Sequence, residues 1–251
     1  MAKLSFATES TTFMIRRDIS KTRPIVEEKL RIPEVKNAIS RPRLIEMLER
    51  AEAHAGVTVL CGRSGTGKTL VAAEFAENHE HPIWYSIEPA DTSWESFSSY
   101  LSAAIFKETA VDVQPARQVN EVIDRASIVG FLDRCMNGLQ HAATGSCQLV
   151  VLDNIHHLYD SDWFRDFFNQ LVLSMVPNVH FLMLCRTKPA LPLWRFRSKQ
   201  MLNVVDEEIL AVTPSETARL CRLRGVPGEF AADAVSHSKG RISRVVDSFP
   251  Q

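Results

Sequence analysis

The sequence predicts an α/β fold: a doubly wound parallel β-sheet flanked by helices, with a small helical subdomain at its C-terminal end. Three observations carry that prediction. The runs Gln148-Leu-Val-Val-Leu-Asp153 and Val179 to Cys185 are apolar almost throughout rather than alternating, as central parallel strands covered on both faces must be. Such runs alternate with segments of helical period, the order that builds βαβ units. Finally, the β-branched run Val57 to Cys61 opens through a glycine-rich turn directly into a helical segment.

The elements follow in order. Residues 1 to 23 mix Ser, Thr and basic residues without periodicity and read as a mobile arm or docking tail. A helix is expected after Ser40, with Pro42 in its first turn and Leu44, Ile45, Leu48 and Ala51 on one apolar face. Strand 57 to 61 and helix 69 to 78 come next, then a strand over 82 to 87. Thr92 with Glu95 predicts a capping box that opens a helix carrying Trp94, Phe97, Leu101 and Ile105. After a polar connection near 109 to 124, Ile128, Leu132, Cys135, Met136 and Leu139 mark another helix. Strand 148 to 153, helix 161 to 176 with Trp163, Phe164, Phe167, Phe168 and Leu171, and strand 179 to 185 complete the α/β region, residues 24 to 205. From 206 to 251 the chain reads as a helical lid. Thr213-Pro-Ser-Glu216 is a capping box with proline at the first helical position, Gly225 is a C′ stop, and two short helices are expected over 228 to 237 and 241 to 249.

Composition narrows the function classes. With 251 residues, 45% hydrophobic and 24% charged, the chain can bury one large core or one core and a small accessory bundle. A formal net charge of −1 implies no global attraction to nucleic acid or anionic membrane. Cys61, Cys135, Cys147, Cys185 and Cys221 show no C-x-x-C spacing and read as reduced thiols. No apolar stretch reaches the ~18 residues of a membrane span, and Phe6 to Ile19 is interrupted by charges as no signal peptide would be. A soluble cytoplasmic chain without a membrane partner is the expectation.

The chemistry concentrates in the glycine-rich turn. Gly62-x-x-x-x-Gly67-Lys68-Thr69 is the full Walker A pattern of a P-loop NTPase. A loop that wraps a β-phosphate must turn its N–H groups inward, and Gly62, Gly65 and Gly67 permit that without a Cβ in the way. Lys68 offers a point charge to the β/γ-phosphates, Thr69 Oγ1 is placed for Mg²⁺, and the following helix N-terminus supports the anion. The candidate nucleotide-binding set is thus Gly62, Arg63, Ser64, Gly65, Thr66, Gly67, Lys68, Thr69 and Leu70. Asp153, at the end of a buried strand, has the form of the Walker B carboxylate that holds Mg²⁺ through water. Arg186 ends the next apolar strand at the same sheet edge, where a guanidinium reaches a γ-phosphate. No Asn-Lys-x-Asp run for guanine occurs, so ATP or ADP is expected as the nucleotide.

With these residues in view, the chain resembles the ATPase module of the signal-transduction ATPases with numerous domains (STAND), particularly the large LuxR-type ATP-dependent transcriptional activators. The resemblance spans roughly residues 25 to 246 and rests on Lys29-Leu30 with Pro33, Ile39-Ser40-Arg41, the Walker A loop and Trp84 to Glu88 with Asp91. Tyr100-Leu101, Leu152 to His156, Cys185-Arg186 with Pro189, Leu191-Pro192-Leu193 and the segment Thr213 to Gly240 add to it. It implies that Arg41 lies near the nucleotide, that Arg186 is a sensor arginine, and that the lid closes over the adenine side.

Departures from that pattern matter as much. The family carries a second acid after the Walker B Asp, and here Asn154 stands in its place. An amide is no general base, so slow or regulated hydrolysis is expected unless Glu88 or Asp91, just beyond a neighbouring strand, substitutes. The chain ends at Gln251, before the further modules the resemblance implies, so it is either a stand-alone ATPase or one module of a longer protein. The leading expectation is an ATP-binding switch that controls a transcriptional regulator or protein partner. Partner binding or self-association would use the lid or exposed apolar faces, and DNA would be reached only indirectly or through other modules. A helix-turn-helix reading of Leu220 to Val246 is weakened by Glu229 and Asp233 in the would-be recognition helix, which lacks Arg, Asn or Gln. An AAA+-like loader or transposition helper, with Arg195, Arg197 and Lys199 at a ring interface or on nucleic acid, is the remaining alternative.

Overall fold

A computed structural model describes residues 25–35, 38–106, 123–143, 145–227 and 238–249. The arm expected over 1 to 23, most of the polar connection and the helix expected over 228 to 237 lie outside them. Five strands, β1 (Val57–Cys61), β2 (Ile83–Ser86), β3 (Gln148–Asp153), β4 (Val179–Cys185) and β5 (Leu202–Val205), form one all-parallel sheet in the order β2-β3-β4-β1-β5. The apolar runs predicted the limits of β1, β3 and β4, and all three strands are buried along their whole length.

Side-chain alternation divides the core between the two sheet faces. On one face α3 (Trp94–Ile105), α4 (Arg125–Ala142) and α5 (Phe164–Leu173) pack Phe97, Phe131 and Phe167 against Val59, Val150, Phe181 and Met183. On the other, α1 (Pro42–His54) and α2 (Lys68–Ala76) pack Leu44, Leu48 and Phe75 against Leu60, Val151, Leu182 and Leu184. The sheet is doubly wound, as the apolar runs implied.

Several local expectations need correction. Helix α3 is capped by Ser93, whose side chain accepts from the Ser96 N–H, and not by Thr92; the Thr92 carbonyl instead accepts from Trp163 Nε1 at 3.0 Å. The capping box in this stretch lies one turn earlier, where Glu88 and Asp91 bracket the 3₁₀ turn Pro89–Asp91. Helix α5 is shorter than 161 to 176. Strand β5 was not foreseen at all, nor were the single-turn helices α6 (Trp194–Arg197) and α7 (Glu207–Leu210).

The C-terminal helices α8 (Pro214–Leu223) and α9 (Ile242–Asp247) form a small cluster of their own, in which Val212, Leu220, Ile242 and Val245 are buried. Thr213 and Glu216 make the expected capping box, and Gly225 takes φ +68°, the left-handed stop that glycine permits.

Candidate functional site

In this strand order β1 is flanked by β4 and β5, so the loop leaving β1 emerges at the sheet's C-terminal edge, where the chain's direction of winding reverses. Open α/β sheets bind ligands at that point. Gly65 at φ +83° and Gly67 at φ +84° let the loop fold back and hand over to α2 at Lys68. The Lys68 side chain curls back over the loop. Its Nζ donates to the Gly62 carbonyl, to Arg63 O at 3.0 Å and weakly to Thr66 Oγ1 at 3.4 Å. Burial lowers the Lys68 pKa, while the negative charge of Asp153 opposes the shift.

Asp153 ends β3, separated from β1 only by β4, and its Oδ2 accepts from Thr69 Oγ1 at 3.0 Å. A hydroxyl and a carboxylate so paired are the oxygen donors that a hard divalent cation takes. Burial raises the Asp153 pKa, against the bond from Thr69 and the charges of Lys68 and Arg186. Ser64, Gly65, Gly67, Lys68, Thr69 and Leu70 line one wall of a cavity of about 420 Å³. Asn154 and Arg186 line it at the strand ends, and Leu220, Arg224, Ile242 and Ser243 close it from α8 and α9. Its size is that of a small-molecule site. Arg186 is exposed there, and no ion pair holds it among the described residues.

Other sequence candidates are placed differently. Thr66 is buried beneath the loop, its Oγ1 donating to Arg63 O at 3.0 Å. Arg63 turns away from the cavity and pairs with Glu207 at 2.7 Å, tying the loop to α7. Arg41, only 2% exposed, lies behind the loop. Its guanidinium donates to Thr66 O at 3.3 Å, Leu210 O at 2.8 Å, Ala211 O at 3.1 Å and Glu216 Oε2 at 3.0 Å. It joins the loop to the segment Leu210 to Glu216, which leads into α8.

Glu88 is not brought to the cavity. Its carboxylate caps the turn at Pro89 and meets Lys29 Nζ at 2.9 Å, and Asp91 is held by the same ammonium at 2.9 Å. Lys29 needs those partners because it is buried, and neither acid lines the cavity beside Asn154. Asn154 itself has φ +62°, a left-handed conformation that Asn tolerates better than most side chains.

One residue near this edge escaped the sequence reading. His156, which entered there only as the end of the run Leu152 to His156, has both ring nitrogens buried and unpartnered among the described residues. Burial, then the charges of His157, Arg186 and Lys68, push it down to about 4, so its ring is neutral at physiological pH. A larger concavity of about 610 Å³, between α1 and β5 and lined by Arg43, Arg50, His54 and Arg197, has no glycine loop and lies apart from this chemistry.

The chain is similar to known proteins. The family model described as "AAA domain" matches residues 50–184. The chain is 27% identical over 210 residues to the HTH-type transcriptional regulator MalT of Vibrio campbellii, covering 81% of this chain and 22% of that protein. It is 27% identical over 198 residues to MalT of Vibrio cholerae, covering 79% and 22%. The chain therefore spans about a fifth of the length of the curated relatives it matches. Among solved structures, the Aeropyrum pernix ORC1 protein in complex with DNA aligns with TM-score 0.50 and 17% identity over 82% of this chain and 56% of that one, a likeness of fold alone.

Proposed function

This chain belongs to the AAA domain family of P-loop ATPases, and from that premise we propose that it is an ATP-binding switch, of the STAND type, in which nucleotide at the Walker A loop governs closure of the C-terminal lid. The observation that carries the reading is a contact: the Ser243 N–H of α9 donates to the Gly65 carbonyl at the loop's apex, 3.1 Å away, with Ile242 packed beside Gly67. Any change in the loop's backbone is felt at once by the lid.

The residues fit Mg²⁺ with ATP or ADP. A Cβ on Gly65 would lie 2.0 Å from Ser243 Oγ, so loop and lid approach as closely as glycine allows. When bound, Mg²⁺ neutralises charge on the phosphate oxygens. Thr69 and Asp153 are the residues that would hold it. Lys68 exchanges its carbonyl partners for phosphate, and loop N–H groups orient the chain of phosphates. Arg186 reads the terminal phosphate from the β4 end. Arg41 transmits loop position to Leu210, Ala211 and Glu216.

Hydrolysis is slow in this reading because Asn154 offers no base and Glu88 is committed to Lys29. The likeness to MalT supports control of a transcriptional regulator or another protein partner, in the cytoplasm, with DNA reached through other modules; the nucleic-acid loader reading is not favoured. Calorimetry of ATP and ADP with Mg²⁺ tests the proposal. Lys68→Ala should weaken binding by about 1.5–3 kcal/mol, ~10–10²-fold, for the lost charge-assisted bonds. Asp153→Ala should weaken binding with Mg²⁺ more than binding without it. Unchanged affinity in Lys68→Ala would sink the reading. Fast single-turnover hydrolysis by the wild type would remove the word slow.

A further inference from the structure

A pair of thiols lies at the root of the phosphate loop. Cys61 and Cys185 end β1 and β4 and are register partners on these adjacent parallel strands. Both side chains belong to the core on the α3, α4 and α5 face. Cys61 stands one residue before Gly62, where the phosphate loop begins, and Cys185 one residue before Arg186, which lines the nucleotide cavity. The backbone couples them further, since the Gly62 N–H donates to the Cys185 carbonyl at 3.1 Å.

We infer that Cys61 and Cys185 are a peroxide-oxidisable dithiol, whose closure to a disulfide displaces the phosphate loop and weakens nucleotide binding. The first half stands on the thiol geometry alone; the second rests on the function proposed above.

The two sulfurs have unequal roles. Cys61 is 8% exposed and Cys185 1%, so a small oxidant meets Cys61 first. The Cys185 thiol holds Cys61 below the usual thiol range, and Lys188 and Lys68 add to that against burial and Asp206. Cys185, whose thiol donates to Leu60 O at 3.8 Å, is pushed up. Cys61 thiolate attacks hydrogen peroxide, the O–O bond breaks, one oxygen stays as the sulfenic acid and the other leaves as water after taking a proton. The Cys185 sulfur then attacks the sulfenic sulfur; the S–S bond forms, the S–O bond breaks, and a second water carries off the Cys185 proton. Two thiols are oxidised and one peroxide is reduced to two waters.

Geometry supplies the coupling. Neighbouring strands sit about 4.8 Å apart, inside the Cα window of a disulfide, but the Cβ atoms must close to about 3.8 Å. The two residues must therefore tilt until their Cβ atoms have approached by on the order of 1 Å, at the point where the loop begins. Nucleotide and disulfide then oppose one another, and linkage makes the effect reciprocal.

The full chain, treated with stoichiometric hydrogen peroxide, quenched with iodoacetamide and mapped by mass spectrometry, should show a Cys61–Cys185 cross-link lighter by two hydrogens. MgATP affinity by calorimetry should fall about tenfold on oxidation and recover with dithiothreitol, and saturating MgATP should slow cross-linking by a similar factor. Cys61→Ser and Cys185→Ala should each bind like the reduced wild type and ignore peroxide; if one fails to fold, the other serves. Thiols that stay free, or a link through Cys135, Cys147 or Cys221, overturn the inference. A mapped cross-link with unchanged affinity overturns the coupling. A cross-link in a chain that binds no nucleotide when reduced overturns the proposed function and leaves the dithiol standing.

Discussion

The sheet and the helices on one of its faces bury Phe97, Phe131, Phe167, Phe168 and Phe181 at 0–1% exposure, and Asp153 is the one acidic or basic side chain in the five strands apart from the buried His180, which burial keeps neutral, whereas the joint between the phosphate loop and the C-terminal helices turns on one guanidinium, Arg41, reaching three backbone carbonyls and Glu216. The apolar cluster behind that joint is small, with Val212, Leu220, Ile242 and Val245 as its buried members. Apolar burial is non-directional and scales with area, so the sheet tolerates small displacements and yields only as a whole. Charge-assisted bonds are directional and either made or lost. The switch proposed above, in which the binding edge stays fixed while the lid moves, would gain from having the two regions held by different forces.

The largest effect should come from the sheet. Phe97 stacks on Trp163 at 5.0 Å and meets Phe167 edge-on at 4.9 Å. Phe97→Ala should cost about 3–5 kcal/mol of unfolding free energy, through lost transfer energy and a cavity. Urea titration should show it as one shifted transition at unchanged slope. A second, separate transition would mean that sheet and lid unfold independently, which sharpens the contrast further.

The joint should answer more weakly and locally. Arg41→Met keeps the stem and removes the donors, leaving Glu216 with Arg43 at 3.5 Å and the Thr213 N–H at 2.9 Å. A loss of about 1–3 kcal/mol is expected for the groups left unsatisfied. Amide hydrogen exchange should register it in α8 and α9 but not in β3 and β4. Equal loss of protection in the strands would break the comparison, because Arg41 would then support the whole fold.

What the sequence disclosed follows the same division. Strands β3 and β4 and the phosphate loop were readable because their signal is contiguous: a run of apolar residues, or a spacing of Gly, Lys and Thr. Asp153 was readable as the end of such a run. Strand β5 was missed because Leu202-Asn203-Val204-Val205 is four residues long, carries a polar residue and becomes a strand by pairing with β1. Ser93 displaced Thr92 as cap because both fit the local pattern and packing decided between them: Trp163 takes the Thr92 carbonyl. The pairing of Glu88 with Lys29 was not readable because the two are far apart in sequence, and Arg41 was placed near the nucleotide by resemblance while its bonds to Leu210 and Ala211 stayed invisible. Short-range chemistry is written in neighbouring residues. The joint is written in contacts between distant ones.

The smallest expected effect is a pH dependence confined to the lid. Burial alone would raise the Glu216 carboxyl, but the bonds from Arg41 and the Thr213 N–H and the charges of Arg41 and Arg43 outweigh it and hold the group below its ordinary value of 4.5. A carboxyl lowered on folding contributes stability that is fully present above the unfolded value and lost as pH falls through the folded one. The joint should therefore be indifferent to pH between about 5 and 7 and loosen on acidification below about 4. Methyl NMR of Leu220 and Val245 should record the loosening while Val151 and Leu182 in the sheet stay unchanged. Glu216→Gln is the control, since an amide keeps the shape and an acceptor for Arg41 but cannot titrate. Its lid signals should be displaced at neutral pH and show no step in acid. If the acid step persists in Glu216→Gln, another carboxylate governs it. The Arg63 pair partner Glu207, on the loop's other side and also held low by that arginine, is the one to replace next.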